Sequence, residues 1–499
     1  MELQFKKESL SWLECPVREV RNLEQTQEMK LTDGMPDVGR VLAAWGQPIL
    51  RGKEWNSGSF GFSGGMTVWV LYAPEDGSTV RCVEGWIPCQ MQWDLPSGTP
   101  EGQIRVSLRP RFVDARSVSP RKIMVRAGFS ALGEGFAPCE EDVFIPEEVP
   151  ESVQLLVRTY PVRMCMEAGE KTFRLDEELT MPSSCPVPAK LICGMLTPAV
   201  EEHRVLGNRL VFRGSANLHV LYMSEEGQVF SWDFPVSISQ FSDLKGSYGN
   251  DAYGTFSLAV TDLELELDDE CHFRMKCGMT AQYTVEDVCE IRTVEDAYSP
   301  MRELDTEQTI LSVPAVLEDA QRKLTVRQQI HQEANIVTDV SFLPDFSRQR
   351  RNGNTLELEQ PGIVQVLYYT PEGSLQASTA HWEGKLQMDI HEDAQMHTVL
   401  QGIAEPRAEI SAESIQVSAD LLLRCQSTTR QALNSVSAMK IGEEREPDPG
   451  RPSLVLCRAG GNSLWQIARE NGSTMDAIRR ATGFEGEPDP EQMLLIPVV

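Results

Sequence analysis

A chain of 499 residues, 41% of them hydrophobic and 24% charged, is too long for a single hydrophobic core and too apolar for a disordered protein. We therefore expect several globular domains. The formal net charge of −28 argues against the basic surface that nucleic-acid and anionic-membrane binding require, so we expect neither partner.

The N-terminal sequence MELQFKKESL lacks the apolar run of a signal peptide, and no stretch reaches the roughly 20 apolar residues of a membrane span. The 12 cysteines are scattered along the chain without a CxxC pair, a pattern typical of reduced thiols in a cytosol. We expect a cytoplasmic protein without direct membrane insertion.

One short motif recurs three times in the first 440 residues. A Val-Leu-Tyr triplet is followed, five residues after its tyrosine, by a glycine in an acidic turn, and a tryptophan lies in the segment beyond. The middle leucines are 150 and 146 residues apart, which indicates three homologous units in tandem. The members are Val70-Leu71-Tyr72, Gly77 and Trp86; Val220-Leu221-Tyr222, Gly227 and Trp232; and Val366-Leu367-Tyr368, Gly373 and Trp382.

Each copy of the motif predicts a β-hairpin, because β-branched and aromatic residues lead into a turn where glycine supplies a positive φ. A long alternating strand is predicted after each hairpin, from Val118, Leu265 and Ile410. We therefore predict a mainly β protein with three tandem β-sandwich-like repeat domains, at residues 1–158, 159–303 and 304–440. The motif residues and tryptophans are expected in their cores.

The best candidate for a catalytic motif is GFSGG, Gly61 to Gly65, which matches the nucleophile elbow G-x-S-x-G around Ser63. That elbow needs a strand that turns into a helix, whereas the strand-like MTVWVLY follows here, so a glycine-rich loop is the better interpretation. His391 and His397 lie six residues apart in an acidic segment, which favours a solvated loop over a metal site. We predict no catalytic residue, no metal and no cofactor, and therefore no enzyme.

The last residues form a separate unit. An acidic linker is predicted at residues 441–451 and a small domain at 452–499. Its strand SLVLC precedes a helix that begins at Ser463, which has the capping-box spacing with Gln466. A second helix is capped near Ser473 or Thr474, and MLLIP forms the closing strand, so the order is β-α-α-β.

This unit resembles a LysM domain, because Gly461 to Ala468 reads GNSLWQIA where the family has G-D-T-L-W-x-I-A. The resemblance implies a groove that binds N-acetylglucosamine polymers. Asn462 and Ser463 replace the usual Asp and Thr, and Thr482-Gly483 replaces the common Asn-Pro, so polar contacts to a sugar are lost or moved. The implied groove is formed by Gly461, Asn462, Ser463 and Leu464, with Ala481, Thr482 and Gly483 opposite. We expect Trp465 to be partly a core residue and partly an exposed anchor for whatever binds.

The whole order of domains resembles that of SipL-like clostridial spore coat morphogenetic proteins. The resemblance implies a non-enzymatic adaptor or scaffold of spore coat assembly, located at the forespore surface in the mother-cell cytosol. Its LysM domain would bind a SpoIVA-like coat ATPase, with Leu464 and Trp465 central to the contact. The alternative is a protein of the cell wall or cortex whose LysM domain binds peptidoglycan or N-acetylglucosamine polymers.

Overall fold

The computed structural model describes residues 2–268, 272–411, 413–446, 450 and 452–498. This part of the chain consists almost entirely of antiparallel β-strands, which confirms the mainly β class. Six strands make up the first repeat, in two three-stranded sheets with the orders β1-β6-β5 and β2-β3-β4. They are β1 (Phe5–Lys30), β2 (Val38–Asn56), β3 (Ser59–Pro74), β4 (Arg81–Asp94), β5 (Gln103–Ser119) and β6 (Lys122–Pro146).

The second repeat has the same plan with one fewer named strand. Its sheets have the orders β7-β11-β10 and β8-β9. The 37-residue β8 takes the place of β2 and β3 together, since a Cβ placed on Gly214 would lie 2.0 Å from the carbonyl oxygen of Ala199 in the other half of the same strand. The strands are β7 (Gln154–Thr180), β8 (Pro188–Ser224), β9 (Val229–Tyr248), β10 (Tyr253–Leu267) and β11 (His272–Tyr298).

The third repeat follows the plan again, with the sheet order β12-β18-β17 and a second sheet in which β15 pairs with β13 and β14 and also with β16. The predicted boundaries after residues 158 and 303 fall inside β7 and β12, and the first four residues of the predicted linker belong to β18. The strands are β12 (Arg302–Ile330), β13 (Ile336–Pro344), β14 (Arg348–Asn352), β15 (Thr355–Tyr369), β16 (Leu375–Asp389), β17 (Gln395–Ser411) and β18 (Ser414–Glu444).

All three predicted hairpins are present. The turn glycine has a φ of 72°, 80° and 79° in the three copies, the left-handed region that other residues rarely adopt. Its amide N–H closes each turn by donating to a carbonyl oxygen: Gly77 to Pro74, Gly227 to Ser224 and Gly373 to Thr370, at 3.3, 2.9 and 2.9 Å.

The two sheets of each repeat enclose a common hydrophobic core, as expected of a sandwich. The valine and tyrosine of each motif contribute to that core. Trp382 is buried, whereas Trp86 and Trp232 are only half-buried. The prediction that motif residues are core is confirmed for all three triplets.

Two local predictions need correction. The segments predicted as single long strands after each hairpin are each divided between two strands: β5 ends at Ser119, β10 at Leu267 and β17 at Ser411, and β6, β11 and β18 start at Lys122, His272 and Ser414. The polar residues between these strands fit an alternating strand equally well, so alternation alone could not locate the division. The segment GFSGG is not a loop, because it lies within β3; a Cβ on Gly64 would meet the carbonyl oxygen of Ile49 at 2.3 Å, so glycine allows close strand contact there.

The middle leucines of the three motifs have a different role from their neighbours. Successive side chains of a strand point to opposite faces, so when valine and tyrosine face the repeat's own core the leucine faces outwards. Leu71, Leu221 and Leu367 are fully buried there, in one cluster that all three repeats share. The three repeats therefore pack around a common centre.

Equivalent residues of the first two repeats also meet directly. The hydroxyls of Ser107 and Ser257 lie 2.7 Å apart, and the guanidinium of Arg105 donates to Oγ1 of Thr255 at 2.7 Å. Each pair is separated by 150 residues, the spacing of the repeats. A second apolar cluster shared by the three repeats contains Trp12, Val143, Val162, Met164, Ile291, Leu311, Val313, Ala315 and Leu433. We describe the arrangement as a pseudo-threefold one.

An ionic contact joins the second and third repeats beside the leucine cluster. The two nitrogens of His219 lie 2.9 Å from Oδ1 of Asp233 and 2.8 Å from Oδ1 of Asp339, and the Asp339 side chain is 1% exposed. Burial opposes the charged imidazolium, but the two carboxylates outweigh it and raise the pKa of His219 to about 10.

This contact predicts a pH-dependent stability. Because the pKa of His219 is raised above its ordinary 6.5, its contribution is complete below about pH 6.5 and is lost as the pH rises towards 10. We expect His219→Gln to lower the free energy of unfolding by about 1–3 kcal/mol at neutral pH. Urea unfolding between pH 6 and pH 10 should show the difference from the parent protein shrinking; a constant difference would contradict the assignment. The exposed His381→Gln is the control.

Candidate functional site

The C-terminal unit has the predicted order β-α-α-β. Its elements are β19 (Leu454–Arg458), α1 (Leu464–Glu470), α2 (Met475–Thr482) and β20 (Met493–Pro497), and the two strands form an antiparallel sheet. Residues 447–449 and 451 of the predicted linker lie outside the described residues.

The residues that the sequence predicted as helix caps do cap the two helices. The Ser463 side chain accepts from the Gln466 amide, and the Gln466 side chain accepts from the Ser463 amide at 3.1 Å, which completes the capping box. Thr474 caps α2, and Gly483 ends it with a φ of 75°. The side chains of Ser463 and Thr474 thus accept hydrogen bonds from amides at the helix starts that have no partner within the helix.

Trp465 does not lie on a free surface. Its side chain is 5% exposed and its indole N–H donates to Oδ2 of Asp296, in the second repeat, at 2.8 Å. Arg469 reaches the same oxygen at 2.6 Å. The ring of Trp465 also packs edge-on against Tyr298, with 4.7 Å between ring centroids. The C-terminal unit therefore packs against the second repeat through its tryptophan.

Tyr298 provides the second part of this contact. Its hydroxyl donates to the carbonyl oxygen of Ser473 at 2.9 Å, and burial raises the pKa of Tyr298 to about 12. Leu464 is also fully buried, inside the C-terminal unit. Leu464 and Trp465, which were expected to contact a partner, are thus both buried in this structure.

The other predicted groove residues lie in the loop before α1 and at the C-terminal end of α2. Gly461, Asn462, Ala481 and Gly483 are exposed, and Ser463 is half-buried. The hydroxyl of Thr482 is already used, since it accepts from the amide of Leu495 at 2.9 Å and donates to that residue's carbonyl oxygen at 3.3 Å.

A hydrogen bond connects the start of α1 to the segment that follows α2. A carboxylate oxygen of Glu487 accepts from the backbone amide of Leu464 at 2.8 Å. A carboxylate is stabilised at this position because the first amides of a helix have no partner within it. No sequence motif had indicated a role for this glutamate.

The most exposed apolar surface of the C-terminal unit is the outer face of its two-stranded sheet. Leu454, Leu456 and Met493 are 49%, 64% and 49% exposed. Leu454 pairs with Pro497, Leu456 with Leu495 and Arg458 with Met493, so five apolar residues and Arg458 share one side of the sheet. We call this surface the outer face. The opposite side, with Val455, Cys457, Leu494 and Ile496, packs against the helices.

The outer face was not predicted from the sequence, although a signal was present. In SLVLC and MLLIP both sets of alternating positions are apolar, whereas a two-stranded sheet covered by helices on one side needs only one such set.

The described residues contain neither a metal-binding group nor a disulfide. No group of three His, Cys, Asp or Glu side chains there is placed to hold a metal ion. His391 is exposed, and Nε2 of His397 lies 3.0 Å from the hydroxyl of Thr428. The cysteines that the structure describes are free thiols. No helix among the described residues is both long enough and apolar enough to cross a membrane.

Comparison of the chain with protein-family models, with curated proteins and with solved structures gives no match. The function is therefore inferred from the residues themselves.

Proposed function

We propose that the chain is a non-enzymatic adaptor or scaffold of spore coat assembly, acting at the forespore surface in the mother-cell cytosol. Its LysM-like C-terminal unit docks a protein partner, a SpoIVA-like coat ATPase. The observation that carries this proposal is the outer face, an apolar sheet surface on a unit whose helices already cover the other side.

Burial of the outer face supplies the driving force for docking. An exposed leucine or methionine that becomes fully buried in an interface contributes about 1.5–3 kcal/mol. Leu456, 64% exposed, lies between Leu454 and Met493 and has the most to gain. The strongly acidic surface elsewhere, with a net charge of −28, favours a partner with basic residues around its apolar centre.

Glycan binding is the alternative, and the outer face does not favour it. Leucine and methionine side chains offer no hydrogen-bond partners for sugar hydroxyls. The tryptophan beside the first loop, Trp465, is held by Asp296 and is not available to stack on a sugar ring. The exposed loops at Gly461 and Gly483 remain the place where an N-acetylglucosamine polymer would bind.

A charge placed on the outer face should abolish docking without unfolding the protein. We expect Leu456→Glu in the full-length chain to weaken binding to the coat ATPase at least about tenfold, because a carboxylate would be buried in the interface. Surface plasmon resonance with immobilised ATPase measures this.

The matched control is Ile310→Glu in β12, where the parent side chain is 67% exposed. It should bind as the parent does, and thermal unfolding should show that both variants fold. If Leu456→Glu, Ile310→Glu and the parent protein bound the ATPase equally well, the outer face would not be the docking surface. A loss of chito-oligosaccharide binding in Leu456→Glu would favour the glycan alternative.

A further inference from the structure

The contact between the second and third repeats is interrupted by a gap. On one side of the gap the side-chain amide of Gln426 donates to Glu286 at 3.0 Å, and on the other the hydroxyl of Ser231 donates to the carbonyl oxygen of Thr338 at 2.6 Å. Between these contacts, residues 399–403 of β17 pair with β18 of their own repeat. Within the part of the chain that the structure describes, they make no hydrogen bond to β8 or β10.

The first repeat, by contrast, meets both of its neighbours directly. The backbone of Val106 and the side-chain amide of Gln282, in the second repeat, exchange two hydrogen bonds at 2.8 and 2.9 Å. Arg111 forms an ion pair with Asp345, next to β13 of the third repeat, at 3.2 Å. The gap therefore distinguishes one of the three contacts in the pseudo-threefold arrangement from the other two.

The gap contains a cavity of about 370 Å³, and residues of all three repeats line it. A large part of its wall comes from β8, β10 and β17, the strands beside the gap. The cavity shares Arg105, Thr255 and Arg424 with a wider chamber, and Met195 connects it with the leucine cluster. We call this space the seam cavity.

Apolar side chains from the cores of the three repeats reach the seam cavity. Each belongs to the core of its own repeat or packs against it, and most are only half-buried although they lie where the repeats meet. They include Leu108 of the first repeat, Val200 and Leu258 of the second, and Phe342, Leu400 and Ile403 of the third. An apolar ligand would remove this surface from water, which is favourable.

The charged side chains that line the seam cavity already have partners. These pairs are Arg105 with Glu134 at 2.6 Å, Arg424 with Asp319 at 2.7 Å, Glu201 with the hydroxyl of Ser215 at 2.6 Å, and Arg109 with the carbonyl oxygen of Asp345 at 2.8 Å. Burial, together with Arg424, lowers the pKa of His203 to about 4, so this imidazole is neutral at pH 7. A ligand therefore gains little from a charge of its own.

Gly402 marks open space in the wall of the seam cavity. It pairs with Leu422 and Val399 pairs with Arg424, so Gly402 lies on the same side of the sheet as two other residues of the wall. A Cβ placed on Gly402 would meet no atom within 4 Å. The other glycines with as much room have a positive φ, whereas Gly402 does not. A larger side chain thus has room here without backbone strain.

We propose that the seam cavity binds one neutral, mainly hydrocarbon molecule of about fifteen non-hydrogen atoms. An apolar cavity of about 150 Å³ binds benzene, so a cavity of about 370 Å³ takes a molecule roughly two and a half times as large. A largely apolar wall with a few polar groups is typical of small-molecule sites of this volume. This inference does not depend on the proposed function.

The test is a fluorescence titration of the full-length protein with aminoanthracene, a neutral three-ring amine of this size whose emission increases in apolar surroundings. We expect saturable binding of one molecule per chain, and an absence of saturable binding would overturn the proposal. Displacement by decanol would show that the cavity also takes alkyl chains, and a lack of displacement would restrict it to planar aromatic molecules; both outcomes support the site.

Variants of the cavity wall locate the binding. Gly402→Leu should weaken it at least about tenfold, because the added side chain occupies space that the ligand needs, while the melting temperature should not fall. Leu400→Gln keeps the size of the side chain but makes the wall polar, so it should also lower the affinity even if Gly402→Leu folds poorly. Glu409→Leu, at an exposed position of the same strand, is the control and should bind as the parent does.

The outer face of the C-terminal unit is the other exposed apolar surface that could attract the same molecule. Leu456→Glu is therefore titrated in parallel, and we expect it to bind aminoanthracene as the parent does. Unchanged affinity in both Gly402→Leu and Leu400→Gln would overturn the proposal. A loss of binding in Leu456→Glu alone would place the molecule on the outer face and would also overturn it.

Discussion

Replacement of Leu221 by aspartate should destabilise the protein severely. Leu221 is fully buried where Leu71 and Leu367 of the other repeats meet it. A charge in that cluster has no partner and would separate the repeats or unfold them. We expect a loss of more than about 4 kcal/mol, and about 2–5 kcal/mol for Leu221→Ala.

Urea unfolding followed by tryptophan fluorescence measures this effect. Leu206→Asp is the matched control, because Leu206 lies in the same strand and is 56% exposed. The control should unfold with the parent's midpoint. If Leu221→Asp and Leu206→Asp had similar midpoints, the shared leucine cluster could not be what joins the repeats.

The second large effect is expected for Glu134→Gln. Glu134 is 2% exposed and is the carboxylate that both Arg105 and Arg18 contact. Removing one partner of a buried ion pair leaves the remaining charge uncompensated, which costs about 3–5 kcal/mol. The exposed pair of Glu24 and Arg126 provides the control, since Glu24→Gln should change the stability by no more than about 1 kcal/mol.

The same residue predicts how acid affects the protein. Burial alone would raise the pKa of Glu134, but Arg105 and Arg18 outweigh it and lower the pKa from its ordinary 4.5 to about 2. Its contribution is therefore complete above about pH 4.5 and is lost as the pH falls towards 2. Unfolding free energies of parent and Glu134→Gln should converge over that range; a gap that stays constant down to pH 3 would contradict a role for the ion pair.

The sequence predicts the hairpins well because their determinants are local. The turn glycines Gly77, Gly227 and Gly373 need only a positive φ, and the strands before them need only β-branched and aromatic residues. The caps of the C-terminal helices are equally local, so Ser463 and Thr474 were found. Local rules do not, however, show what lies against the second face of a strand.

Contacts across the repeats are what sequence patterns could not supply. Leu71 looks like an ordinary core residue, yet it packs against leucines 150 and 296 residues further along the chain. The partner of Trp465 is Asp296, 169 residues away, and no spacing rule connects them. The same holds for Arg163 of the second repeat, which lies 3.4 Å from Asp319 of the third repeat, 156 residues further along the chain. These long-range pairings decide which predicted residues are accessible.

Whether the C-terminal unit docks a protein is decided by calorimetric titration of the full-length chain. The coat ATPase and a chito-oligosaccharide would be titrated separately under the same conditions. We expect binding of the ATPase, abolished by Leu456→Glu, and no heat with the sugar. Binding of the sugar together with no binding of the ATPase would contradict the adaptor proposal and leave the protein as a glycan receptor.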